Sequence, residues 1–258
     1  MSLKERNAIT YLGALSGLFD DFFDKKDLTE SYIKKLIEQP DKQPGNNANE
    51  RLFINFYKKA LKHSADASLV KSYFLNVFDA QILSKEQMCA ETDIVEIENI
   101  TYLKGGISFL FYSSIFGENK NENERMMIYK LGALMQLEND IFDVYKDNQD
   151  GIRTLVTTEK SINHLRKNYI ALTEEVFNLA HLTNYPVKNI KLFLRFVSMV
   201  ICRGFVCLDM LENNESLTNK IFSLADYTRK DLICDMEKPI NFLKTINYYA
   251  NNNFEKKI

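Results

Sequence analysis

Residues 131–147 read Leu-Gly-Ala-Leu-Met-Gln-Leu-Glu-Asn-Asp-Ile-Phe-Asp-Val-Tyr-Lys-Asp. Asn139, Asp143 and Asp147 fall at i, i+4 and i+8, one continuous stripe along a helix, with Asp140 beside it. Gly151, just beyond, is a natural helix stop. The stripe therefore approaches the C-terminal end of its helix, where the macrodipole is already negative, and neighbouring carboxylates repel. Each effect costs up to about 1 kcal/mol. A hard divalent cation offsets both, and Mg²⁺ takes oxygen ligands from one or two carboxylates and from substrate phosphates. Taken alone, acids at this spacing more often mark a solvated face. Here they are mixed with Ile141 and Phe142, which leaves a polar stripe on a helix that otherwise reads as buried.

A second acidic cluster lies upstream, Phe19-Asp20-Asp21-Phe22-Phe23-Asp24, where Asp20 and Asp24 share one helix face. Between the clusters, Tyr102-Leu-Lys104-Gly105-Gly106-Ile-Ser-Phe109-Leu-Phe111 places two glycines inside an apolar helix. They cost roughly 1 kcal/mol each relative to Ala. Two readings stand side by side, a close approach of backbone to substrate and a close contact between two helices. A carboxylate di-iron bundle would want Glu-x-x-His pairs, and His63, His164 and His181 offer none. Oxygen-only donors suit Mg²⁺. Downstream, Arg195 and Arg203 lie in an apolar stretch and need partners. A diphosphate, a core carboxylate and an excursion to the surface are all open.

The rest of the chain reads as helix. Ile9, Leu12, Leu15, Phe19 and Phe22 recur at helical spacing over about 2–23, and Asp27-Leu-Thr-Glu30 resembles a capping box that opens the next helix. A loop with Pro40, Pro44 and Gly45 follows. Further helices are expected at about 49–63, 66–80, 84–91, 93–116, 122–148, 159–183, 187–212, 216–223 and 226–252, with Gly117 and Gly151 as stops. Nine Gly and four Pro in 258 residues disfavour a turn-rich β-protein, and no strand suggests itself. With 45% hydrophobic and 26% charged residues the chain reads as one packed all-α domain over 1–258. A net charge of -2 supplies no global field for nucleic acid or an anionic membrane. The start, MSLKERNAIT, is too polar for a signal sequence, so Cys89, Cys202, Cys207 and Cys234 read as reduced thiols of a cytoplasmic protein. The longest apolar run, near 196–211, is interrupted by Arg203 and Asp209 and reads as a buried helix rather than a membrane span.

These elements resemble the class I isoprenoid synthases. Asp20-Asp21-Phe22-Phe23-Asp24 is similar to that family's first aspartate-rich motif. Residues 131–147 resemble the Leu-Gly-x-x-x-Gln-Leu-x-Asn-x-x-x-Asp-Val-x-x-Asp pattern of squalene and phytoene synthases. They are also similar to the second motifs of elongating synthases and terpene cyclases. The segment 102–111 is similar to the Lys-Thr-x-x-Leu-Phe helix of elongating synthases, and the three occur in the family's order over roughly 10–155.

The resemblance implies an isoprenoid synthase-type helical bundle with a central cavity and a Mg²⁺-dependent enzyme that ionises an allylic prenyl diphosphate. It implies head-to-head, transfer or cyclisation chemistry. It assigns metal binding to Asp20, Asp21, Asp24, Asn139, Asp140, Asp143 and Asp147. Lys104 and Arg203 become catalytic, and Phe23, Gly105, Gly106 and Gln136 line the substrate. Phe19, Phe23, Phe109 and Tyr112 would wall the prenyl chain. Tyr227 and Arg229 lie where cyclases carry an Arg-Tyr pair, in reversed order. Upstream of Asp20 only Lys4 and Arg6 are basic, so no isopentenyl diphosphate site is expected there, and Arg153, Lys160 and Arg166 are the other candidates for a cradle. A non-catalytic isoprenoid-binding or regulatory protein of the same fold is the alternative. The expected partners are a prenyl diphosphate and, in one assembly state, a second copy.

Overall fold

The computed structural model describes residues 1–24, 28–117, 120–218 and 221–251, apart from the side chain of Asp24. The regular structure of the described residues is all helix, joined by turns and loops, with no strand. The α-helices are α1 (Leu3–Asp24), α2 (Glu30–Glu38), α3 (Ala48–His63), α4 (Ala67–Leu83), α5 (Ile94–Ser113), α6 (Glu122–Asp150), α7 (Leu155–Thr158), α8 (Ile162–His181), α9 (Val187–Leu217), α10 (Arg229–Leu232) and α11 (Pro239–Asn251). The chain divides into two compact units, residues 1–82 with 107–120 and residues 83–106 with 121–258.

The first unit is built on aromatic packing. Ala8, Leu12, Leu15, Phe19 and Phe22 recur every three or four residues of α1 and are all buried, so this face packs on α3. Phe74 stacks on Phe111 at 4.6 Å between centroids and meets Tyr57 and Phe19 at 5.0 Å each. Inside this cluster the Tyr57 hydroxyl is buried without a hydrogen-bond partner. Thr29, rather than Asp27, caps α2, its hydroxyl accepting from the Tyr32 amide, and Asp27 lies outside the described residues. Asn47 caps α3 by accepting from the Glu50 amide at 3.0 Å.

The second unit packs α6, α8, α9 and α11 around a core that includes Leu137, Ile141, Val144, Tyr169, Leu194, Ile201 and Leu208. Asn121 caps α6 through the Glu124 amide, and Gly151 ends it at φ 70°, a left-handed position that suits glycine. Arg153 then ties this end to the segment before α5. Its amide donates to the Gln87 carbonyl at 2.8 Å, and one guanidinium nitrogen reaches the carbonyls of Cys89, Ala90 and Thr92.

Several expected boundaries move. Residues 84–88 form a 3₁₀ turn instead of an α-helix, and α9 runs on to Leu217 instead of stopping near 212. The expected helix over 226–252 is two, because Pro239 starts α11 and disfavours a helical Lys238. No described helix is long and apolar enough to cross a membrane.

Candidate functional site

The acidic stripe of α6 lies in the second unit. Asp140 is fully buried and accepts from Gln136 Nε2 at 2.9 Å and from the Thr101 hydroxyl of α5 at 3.2 Å. Burial pushes its carboxyl up to about 6, against the pull of the Gln136 and Thr101 hydrogen bonds and of the Lys104 charge. Asp147, also buried, is pushed up to about 7, first by burial and then by the charges of Asp140 and Asp143, with Lys146 and Lys104 opposing. Asn139 is exposed and donates to Asp143 Oδ2 at 3.3 Å. The electrostatically coupled set is thus Asp140, Asp143 and Asp147 with Lys104 beside it, rather than the Asn139–Asp143–Asp147 row alone.

Lys104 reaches this set because α5 lies against α6 at its glycines. A Cβ on Gly105 would stand 2.2 Å from the Gly132 carbonyl oxygen and 2.6 Å from Gln136 Cβ, and one on Gly106 would stand 2.4 Å from the Tyr129 ring. The helix-contact reading of this glycine pair is therefore realised, and neither glycine presents an open face on these sides. Gln136, matched to substrate by its motif, is turned onto Asp140.

Asp143 also borders a cleft of about 450 Å³ lined by Phe142, Tyr145, Lys146, Arg229 and Ile233. The Arg229 guanidinium lies 5.8 Å from the Tyr145 ring centroid, within cation–π range. Lys146 and Tyr145 escaped the sequence reading. Their signal was the i, i+3, i+4, i+7 face formed by Phe142, Tyr145, Lys146 and Gln149, which runs beside the acidic stripe.

Arg203 meets a core carboxylate. Its Nη2 lies 3.0 Å from Glu138 Oε1, and its guanidinium 5.8 Å from the Phe142 ring. The Tyr169 hydroxyl stands 3.1 Å from both Glu138 Oε2 and the Ile201 carbonyl. Burial raises Glu138 to about 7 despite Arg203. Arg195 lies on the exposed side of α9. Two of the candidate cradle residues are engaged elsewhere. Arg153 holds the carbonyls described above, and Arg166 binds Glu212 through Nε and Nη2 at 2.5 and 2.9 Å and Asp209 at 2.6 Å.

The first acidic cluster lies in the other unit, at the end of α1. Asp20 is exposed, Asp21 half-buried, and the Asp24 side chain lies outside the described residues. Phe23 packs edge-on against Phe19 at 5.2 Å and near Phe78 at 5.9 Å, while Phe19 is core. Among the described residues, no three His, Cys, Asp or Glu side chains converge into a ready metal-holding group. The α6 acids are oxygen-only donors, about one turn apart and mutually repelling, which is the donor chemistry that a hard divalent ion takes. Comparison with protein-family models, curated proteins and solved structures finds no match to the chain.

Proposed function

We propose that the chain is a Mg²⁺-dependent, class I isoprenoid synthase-type enzyme that ionises an allylic prenyl diphosphate. The observation that carries this reading is the double position of Asp143. One side of it belongs to the coupled carboxylates of α6, and the other borders the cleft that holds Lys146 and Arg229. Acids for a metal and cations for phosphate oxygens meet at one residue. When bound, Mg²⁺ supplies Lewis-acid neutralisation of a leaving diphosphate.

The chain's own groups do the rest. Asp143 and Asp147 offer carboxylate oxygens from adjacent turns. Lys104 favours the ionised form of Asp140 and Asp147. Lys146 and Arg229 share the charge of the diphosphate oxygens. The allylic C–O bond breaks with its electron pair leaving on the diphosphate, and the aromatic faces of Phe142 and Tyr145 stabilise the positive carbon. Asp20, Asp21, Asp24 and Asn139 enter this reading by their motifs alone. The isoprenoid synthase-type bundle and its central cavity are part of the same proposal, as is a cytoplasmic setting.

The test is incubation with geranyl, farnesyl and geranylgeranyl diphosphates plus Mg²⁺, reading diphosphate release and hydrocarbon products. Release with at least one substrate, lost in Asp143→Ala, supports the enzyme. Mg²⁺-dependent binding with no release identifies a non-catalytic isoprenoid binder. No binding of any of the three overturns both.

A further inference from the structure

Cys207 and Cys234 are two buried free thiols brought together from different elements of the second unit. Cys207 lies on α9, its Sγ 3.7 Å from the Ile141 carbonyl of α6. Cys234 lies in the short connection between α10 and α11. Two asparagines fix that connection. Asn214 Nδ2 of α9 donates to the Asp231 carbonyl at 2.6 Å, and Asn241 Nδ2 of α11 donates to the Asp235 carbonyl at 2.7 Å. Asn214 and Cys207 stand at i+7 and i, so they share one face of α9, about two turns apart. The chain leaves α10 through an extended Ile233, with φ -100° and ψ 112°, and sets Cys234 against that face. There the Cys207 thiol donates a hydrogen bond to the Cys234 sulfur.

That contact makes the two sulfurs unequal. It holds Cys234 below the ordinary thiol range, helped by the charges of Lys244 and Lys238 and opposed by burial and Asp235. It raises Cys207 well above that range, and burial and the charges of Cys234 and Glu138 act the same way. Cys202, by contrast, is pushed up to about 12 by burial and then by the Glu138 charge. The thiolate is the form that attacks an oxidant. Cys234 is also the sulfur nearer solvent, 5% exposed against 0% for Cys207, and its neighbour Ile233 lines the cleft at Asp143. An attacking thiol with a resolving thiol in contact is the arrangement of a redox-responsive pair.

We propose that Cys207 and Cys234 form a reversible disulfide in response to hydrogen peroxide, and that this link pins the segment carrying Arg229 and Ile233, one wall of the cleft, to α9. The Cys234 thiolate attacks one peroxide oxygen and the O–O bond breaks. The other oxygen leaves as hydroxide and regains the thiol's proton as water. The product is a Cys234 sulfenic acid. The Cys207 sulfur then attacks the Cys234 sulfur, the S–O bond breaks, and the departing hydroxide takes the Cys207 proton. Two thiols and one peroxide become one disulfide and two waters, with sulfur oxidised and oxygen reduced. The link forms or fails whatever the cleft binds.

The test treats the reduced full chain with a small excess of hydrogen peroxide in chelator, blocks the remaining thiols and maps tryptic peptides without reductant. Cleavage at Arg203 and Lys230 puts Cys202, Cys207 and Cys234 on separate peptides. Peptides 204–220 and 231–244 should appear joined, lighter by two hydrogens, and should part on addition of dithiothreitol. Cys207→Ala should leave a Cys234 sulfenic acid that dimedone traps, and Cys234→Ala should leave Cys207 unmodified. Amide exchange across residues 229–236 should slow about tenfold or more in the oxidised chain. Absence of the Cys207–Cys234 link, or a link to Cys89 or Cys202 in its place, overturns the proposal. Reversed behaviour of the two variants overturns the order of attack, and a link that leaves exchange unchanged overturns the pinning.

Discussion

A Cβ added to Gly105 would lie 2.2 Å from the carbonyl oxygen of Gly132, so α5 and α6 touch backbone to backbone just before the acidic stripe begins. The obstacle is main chain, which cannot swing aside. Gly105→Ala should therefore cost about 1–3 kcal/mol, although Ala recovers roughly 1 kcal/mol of helix propensity. Gly106→Ala first meets the ring of Tyr129, a half-buried side chain rather than main chain, and should cost less. Urea denaturation of the two variants checks the order.

The carboxyl of Asp147 titrates near 7 in the folded chain against an ordinary 3.8. A raised folded value means that its contribution to stability is present below the ordinary carboxylate range and is lost as pH rises through about 7. Asp147→Asn, which cannot ionise, escapes that loss. Without metal its advantage over the parent should grow between about pH 4 and 7, reach the order of 2 kcal/mol, and stay flat above. Thermal melts across that range, run in chelator, decide it; a constant offset would refute the argument.

Glu138 is buried, raised to about 7, and held by Arg203. Arg203→Met removes the charge that favours its ionised form, so the folded value rises further. The variant should lose about 1–3 kcal/mol at pH 8 and less at pH 6, where the parent carboxyl is already largely protonated. The pH dependence of the loss separates this from simple loss of packing against Phe142.

The Tyr57 ring packs on Phe53 and Phe74, and its buried hydroxyl has no hydrogen-bond partner. An unmet hydroxyl is a standing cost, so Tyr57→Phe should stabilise the chain by about 1 kcal/mol. An unchanged or lowered midpoint in chemical denaturation would show that a hidden partner exists.

Much of the helix pattern was legible because it rests on local rules. Gly151 marks the end of α6, and the three-four recurrence of Leu12, Leu15, Phe19 and Phe22 marks the core face of α1, although Ala8 and not the expected Ile9 is the buried residue at its start. The break before Pro239 is equally local, a proline signal inside the expected 226–252 helix, whereas the 3₁₀ turn at 84–88 has no periodicity to betray it. At the candidate site, spacing located the stripe of α6 but could not tell which acid is buried. Asp140 depends on Thr101 and Glu138 on Arg203, partners 39 and 65 residues away in sequence. Such pairings follow from how α5 and α9 pack on α6, and no window of sequence contains them.

Arg153 has a consequence for local opening. Because its amide and guanidinium hold the carbonyls of Gln87, Cys89, Ala90 and Thr92, the lead-in to α5 and the exit from α6 cannot fray separately. They open as one cooperative segment, with a shared free energy for amide exchange. A ligand that steadies the last turns of α6 at Asp143 and Asp147 should then slow exchange at Arg153 and across residues 87–93, far upstream in sequence, without touching them.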